Sequence, residues 1–138
     1  MVFSPDGKRV AFGAKNGNKW FVVVDDKPGP EYDRIGAPVF SPDGEHAAYA
    51  AQKGYKSSLV VDGEPGPEYD GIGDLAFSPD SKRVAYAAQK GDKWFVVIDG
   101  QPGPEYSGIA EGELTYQPDG SLVYLASRSG GLYRVKQR

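Results

Sequence analysis

A four-residue phrase returns through the chain at a nearly fixed interval, and that interval limits what the chain can fold into. Phe-Ser-Pro-Asp stands at Phe3, Phe40 and Phe77 and returns as Tyr116-Gln117-Pro118-Asp119, giving spacings of 37, 37 and 39 residues. A unit this short holds one supersecondary element, which cannot hide its own apolar surface and must stack on its copies. The 138 residues therefore read as one repeat domain, residues 1–138, with units of about 1–36, 37–73, 74–112 and 113–138.

Apolar runs within a unit are short and rich in Val, Ile, Tyr, Phe and Trp, which favours strands over helices. In the second unit four strands are expected, at Ala37–Ser41, Ala47–Gln52, Lys56–Asp62 and Glu68–Ile72. The first two are joined by a Pro-Asp turn, Ser41–Gly44, which recurs at Ser4–Gly7 and, with Ser81 in place of Gly, in the third unit. Proline presets φ at about −65° there and the following residues suit a tight bend. Gly17, Gly54, Gly91 and Gly130 centre the next turn, which we term the tip turn. The third strand leads through Asp25-Asp26, Asp62-Gly63 or Asp99-Gly100 into Gly-Pro-Glu-Tyr. Pro30, Pro67 and Pro104 lack an amide donor, so the fourth strand belongs at an outer edge.

Third strands such as Trp20–Val24 and Trp94–Ile98 are apolar without alternation and need cover on both faces. The expected fold is all-β, a β-propeller of four-stranded antiparallel blades, with three full blades and a partial fourth in this chain. Trp20 and Trp94 are expected as core residues between blades. The second blade, with Ser57-Ser58 in place of Trp-Phe, is expected to pack least well at that point.

The unit Phe-Ser-Pro-Asp-Gly-Lys-Arg-Val-Ala-Phe, followed by Lys-Trp-Phe-Val-Val-Val-Asp and Gly-Pro-Glu-Tyr, resembles the bacterial WD-repeat-like propellers of the TolB type, often called Pro-Asp repeats. The likeness runs from Val2 to about Val135. It implies a binding platform, transfers no catalytic residue to this chain, and suggests an extracytoplasmic bacterial location, periplasmic or secreted. Similar blades serve that family as periplasmic scaffolds and as gating domains of peptidases. The first unit opens inside its first strand and the fourth stops after its third. We therefore expect either a segment of a longer propeller or a homo-oligomer that completes a ring, for example two copies making about eight blades; a four-bladed monomeric ring is the competing outcome.

A formal charge of −3 supplies no broad positive field, so nucleic acid and anionic membrane are poor partners. No run approaches the roughly 18 apolar residues of a spanning helix, and Met1 leads into Val2-Phe3-Ser4 without a signal-like region. The chain has no cysteine, which excludes disulfides and thiolate metal sites and leaves the compartment open.

Repeated carboxylates at Asp6, Asp43, Asp80 and Asp119 invite a calcium reading, but the turn uses every residue of the motif and no further ligands sit at loop spacing. Asp25, Asp62 and Asp99, with Glu31, Glu68 and Glu105, read as turn and strand-end residues. His46, the single histidine, takes the slot of Arg9 and Arg83 and reads as a solvated surface residue. Tyr32, Tyr69 and Tyr106 read as packing residues whose hydroxyls reach backbone partners. Neither a Gly-Xaa-Ser-Xaa-Gly elbow nor a phosphate loop occurs, so no enzyme activity and no cofactor or metal is expected.

Positions that all units share serve the blade, whereas positions that differ between similar units are free to serve a ligand. These gather in the tip turns and in the crossing from one unit to the next. The candidate partner-binding residues are Asn18, Arg34, Tyr55, Asp74, Asp92, Glu111 and Glu113. The expected function is a non-enzymatic scaffold or binding module for a protein, peptide or glycan. Its alternatives are a propeller fragment that gates access to a larger hydrolase or peptidase, and a self-assembling array whose main property is ring formation.

Overall fold

The computed structural model describes residues 1–110 and 114–137, and among them every regular element is a strand. Four antiparallel sheets follow one another, one for each repeat. The first blade is β1 (Val2–Phe3), β2 (Val10–Asn16), β3 (Lys19–Val24) and β4 (Lys27–Pro28), hydrogen-bonded in that order. The second is β5 (Arg34–Ile35), β6 (Val39–Phe40), β7 (Ala47–Lys53), β8 (Lys56–Val61) and β9 (Glu64–Pro65). The third is β10 (Gly71–Phe77), β11 (Val84–Lys90), β12 (Lys93–Ile98) and β13 (Gln101–Pro102). The fourth is β14 (Gly108–Ile109), β15 (Thr115–Tyr116), β16 (Leu122–Arg128) and β17 (Gly131–Gln137). Among the described residues nothing pairs with the far edge of β17, so this blade lacks its fourth strand, as expected.

Two-residue turns set the registers. Gly17 at φ +63° precedes a residue of ordinary φ, and Gly54 and Gly91 repeat this, the pattern of a type II′ hairpin. In the fourth blade both Ser129 and Gly130 have positive φ, which is the type I′ pattern. Asp25-Asp26, Asp62-Gly63 and Asp99-Gly100 also pair two positive φ values, and the next strand begins at once.

That immediate return corrects the expected fourth strand at Glu68–Ile72. It starts at Glu64, and proline interrupts it after two residues, while Ile72 already belongs to β10, paired with Ala88. The first strand of the next blade therefore begins three residues earlier than the expected Ala37, at Arg34 opposite Gln52. It carries a one-residue bulge. In the second blade this splits it into β5 and β6 on the same side of β7, and in the third it shifts the register between Ile72 and Leu75. The two extra residues of the 39-residue spacing fall between β14 and β15.

The blades group into two units, Met1–Glu68 and Tyr69–Arg138. In the first, Ala11 and Val22 pack with Phe40, Ala47, Tyr49, Ala51 and Val60, with Val2, Val24 and Ile35 at the margin. In the second, Ala85 and Val96 meet Leu122, Tyr124 and Ala126. Each seam is closed by the tyrosine of Gly-Pro-Glu-Tyr: Tyr32 stands edge-on to Tyr49 at 6.4 Å and Tyr106 to Tyr124 at 6.2 Å. Such pairs add roughly 0.5–1.5 kcal/mol beyond area burial. Tyr69 likewise stands edge-on to Tyr86 at 6.3 Å and to Phe95 at 5.5 Å. Burial, with Tyr32 alongside, pushes the Tyr49 hydroxyl up to about 12, so the seam stays uncharged.

Ser58 is buried at 8% exposure and the adjoining Leu59 and Val60 are nearly inaccessible, so the second blade is covered at this point despite its serines. Trp20 and Trp94 are only half-buried. The fully buried third-strand positions are Val22, Val60, Val96 and Val97, and the tryptophans serve elsewhere.

Candidate functional site

The repeated carboxylates are engaged within their own turns. Ser4 Oγ donates to Asp6 Oδ1 at 2.7 Å while accepting from the Arg9 amide at 3.0 Å, and the Lys8 amide donates to the same carboxylate oxygen. Ser41 with Asp43 and Ser78 with Asp80 repeat the arrangement. These bonds hold Asp6 and Asp80 below the usual carboxylate range, the Lys8 amide dominating for Asp6 and the Ser78 hydroxyl for Asp80. Gln117 replaces the serine in the fourth blade, and Ser121 on the other side of the turn supplies the hydroxyl to Asp119 at 2.5 Å. Among the described residues no group of three or more His, Asp or Glu side chains is placed to hold a metal ion.

Of the second acidic set, Asp25 and Asp62 lie at the same end of the blades, whereas Glu31 accepts from Asn16 beside the tip turn. Asp25 accepts from Arg9 Nε at 2.8 Å and from the Val10 amide at 3.2 Å, and Arg9 continues to the Gly44 carbonyl at 2.7 Å. Asp62 takes His46 Nδ1 at 2.6 Å and the Ala47 amide. His46 is thus partly exposed and bonded to Asp62. Ser41, His46 and Asp62 come together without forming a catalytic triad: Ser41 Oγ meets the His46 backbone amide, not its ring, donates to Asp43, and is fully buried. A cleft of about 320 Å³ at this end is rimmed by Arg9, Asp25 and Asp62, all already committed to these internal bonds.

The opposite end holds the divergent residues. Asn18, Tyr55 and Asp92 sit on tip turns and are exposed, Tyr55 at 94%. Arg34 opens β5 and is exposed, and Asp74 lies at the bulge of β10. Glu111 and Glu113 fall outside the described residues.

Sequence reading missed the side chain that organises this end. Asp33 Oδ2 accepts the Gly54 amide at 2.7 Å and the carboxylate pairs with Lys19, and Asp70 accepts the Gly91 amide at 2.7 Å. The amide and then Lys19 hold Asp33 below the usual range. In the first unit this anchor brings Arg34, next to Asp33, to the same rim as Tyr55, next to Gly54. Its signal was present in the sequence: Asp33 and Asp70 repeat, and Ser107 breaks the pattern in the blade whose tip turn changes to Ser129-Gly130. There Arg128 takes over, donating to the Glu105 carbonyl at 2.7 Å and stacking over Tyr106.

Each unit has a tryptophan-walled cleft at this end. In Met1–Glu68 it measures about 490 Å³ and is lined by Trp20, Gly13, Arg34, Ile35 and Pro38. In Tyr69–Arg138 the equivalent measures about 140 Å³, with Trp94, Gly73, Asp74, Gly108 and Ile109. The Trp94 ring lies across the first strand of its own blade: a Cβ on Gly73 would meet it at 3.5 Å and one on Gly71 at 4.0 Å. In the second blade Ser57 replaces the tryptophan, and the residue matching Gly71 is Arg34. Arg34 and Asp74, picked out by divergence alone, thus each line one of these clefts.

Neither a protein-family model nor a curated protein sequence matches the chain. Solved structures do. TolB from Acinetobacter baumannii aligns with a TM-score of 0.60 at 20% identity, over 94% of this chain and 41% of that one. The β-propeller domain of the Trilobed protease from Pyrococcus furiosus aligns with a TM-score of 0.54 at 17% identity, over 98% and 53%. The chain therefore spans about half or less of the length of these structures, and at such identities the likeness is one of fold.

Proposed function

We propose that this chain, a TolB-like β-propeller in fold, is a non-enzymatic binding module that recognises a protein, peptide or glycan at the end bearing its tip turns. The observation that carries this reading is the convergence of Tyr55, Arg34 and the Trp20 cleft on one rim of the first unit. An aromatic side chain 94% exposed on a turn fixed by Asp33 gains nothing for the fold. Trp, Tyr and Arg are the side chains that dominate binding energy in interfaces. The other end supports the same division, because there Arg9 is paired with Asp25 and His46 with Asp62.

Peptide and glycan arrays probed with the whole chain test the proposal. Ligands that bind the wild type are expected to be lost by Arg34→Glu with Tyr55→Ser, while the melting temperature stays nearly unchanged, since surface changes of this kind cost within about 0.5 kcal/mol. Binding indifferent to both changes but abolished by Arg9→Glu would move recognition to the other end. Self-association is a second property we propose, favoured by the exposed Phe3 beside the half-buried Phe12 and Phe21 on the first blade.

A further inference from the structure

We propose that the seam between the first two blades holds a glutamine side chain supplied by a partner peptide, seated as the fourth blade seats its own Gln137. The inference names a second site, at the Pro-Asp end, and does not rest on the tip-turn reading.

The seam between the third and fourth blades shows the occupied form. Across it Tyr124 stands for Tyr49, Leu122 for Ala47, Gly103 for Gly29 and Gln137 for Asp62. The Tyr124 hydroxyl donates to Gln137 Oε1 at 2.7 Å, and a Cβ on Gly103 would meet Gln137 Nε2 at 3.7 Å. Leu122, in the same core, is 1% exposed. The chain's own amide and a leucine thus fill this seam.

The first seam keeps the tyrosine and the glycine but has neither filling. Ala47 is shorter than leucine, and Asp62 spends Oδ2 on His46 Nδ1 at 2.6 Å and Oδ1 on the Ala47 amide at 3.0 Å. What remains is the cleft of about 320 Å³, walled by Val22, Val24, Pro28, Gly29 and Tyr49. Its charged rim is committed to internal bonds; its floor is not. A Cβ on Gly29 would meet the Tyr49 hydroxyl at 3.4 Å, so the hydroxyl reaches the glycine wall. Burial keeps it protonated, ready to donate to an oxygen.

A polar head entering such a cleft needs partners for its donors as well as its acceptors. A primary amide meets both needs: its oxygen takes the Tyr49 proton, and the carboxylates of Asp25 and Asp62 on the lining accept from its nitrogen. Its aliphatic stem lies against Val22, Val24 and Pro28. A carboxylate head would add unpaired charge to a lining on which Arg9 and Lys27 already balance Asp25 and Asp62. An apolar head would leave the Tyr49 hydroxyl without a partner.

Three capped tripeptides test the site: acetyl-Ala-Gln-Ala-amide and its Glu and Met counterparts, titrated into the whole chain while backbone amides are followed by NMR. The glutamine peptide is expected to shift Gly29 and Tyr49 saturably, and the other two to bind about tenfold more weakly, the effect of one buried hydrogen bond left unmade. Ala47→Leu and Asp62→Gln each install the residue of the fourth blade, and each is expected to abolish the shifts with the rest of the spectrum preserved. If Ala47→Leu fails to fold, Asp62→Gln decides. Equal binding of the three peptides, no response at Gly29, or binding that survives Asp62→Gln overturns the proposal. Shifts confined to Arg34 and Tyr55 overturn it too, while supporting recognition at the tip turns. Failure of the seam leaves the Arg34 and Tyr55 array test standing, because neither seam variant alters that rim.

Discussion

Tyr116 stands where the other three blades have Phe3, Phe40 and Phe77, and its hydroxyl is buried with no hydrogen-bond partner among the described residues. Burial without a bond raises its proton affinity and costs stability, by about 1–3 kcal/mol for a group of this kind. Tyr116→Phe is expected to raise the melting temperature by a few degrees, measured by thermal denaturation, with the fold unchanged. His46 makes a pH-dependent contribution. The Asp62 carboxylate raises the His46 proton affinity above its ordinary value, against a weaker opposing effect of burial. A raised folded-state pKa stabilises fully below the unfolded value of about 6.5 and is lost as pH climbs through the folded value. The side chain is 44% exposed, so the effect is modest. His46→Arg, the residue of the first and third blades at this slot, is expected to match the wild type at pH 5.5 and to gain on it progressively above pH 6.5 in thermal melts.

At the scale of the element, the tip turn depends on a residue outside its own hairpin. Replacing Asp33 with Ala removes the acceptor of the Gly54 amide, and faster hydrogen exchange at Gly54 with a nearly constant global melting temperature is expected. Exchange at Gly54 as slow as in the wild type would show that the turn holds itself. Strand identity and two of the three hairpin turns were legible in the sequence, because Pro, Asp and Gly at fixed offsets encode φ directly. The bulge at Ile72–Leu75 was not, since nothing local distinguishes a first strand that slips by one residue from one that begins later. The same ambiguity moved the fourth strand: Glu64-Pro65 reads as loop until the positive φ values of Asp62 and Gly63 turn the chain straight back. Apolar character suggested that Trp20 and Trp94 fill the core, yet their register puts them near the start of the third strand, where the sheet meets the rim. Divergence between copies pointed to Arg34, Tyr55 and Asp74 but could not reveal Asp33, whose bond crosses 21 residues of chain.

At the scale of the whole chain, the first and the fourth blade carry different chemistry on the face turned away from the neighbouring blade within each unit. On the first blade Phe3 is 61% exposed, and Phe12, Phe21 and Val23 share its side of the sheet. Their counterparts in the second blade, Phe40, Tyr49, Ser58 and Val60, are all buried. On the fourth blade Arg134 and Lys136 occupy the positions of Val96 and Ile98. An apolar face that is only partly covered favours association, so the solution mass measured by light scattering is expected to rise with concentration, and Phe21→Lys is expected to suppress that rise. A concentration-independent mass of one chain would refute it. The serine that migrates from the entry of the Pro-Asp turn to its exit, Ser121 for Ser4, shows how these copies age. What natural selection has kept is a proton bridge to a carboxylate, not a letter at a fixed column, so the blades drift in spelling while their geometry stands still. Ancestry among such repeats is accordingly written in shape long after it has faded from the text.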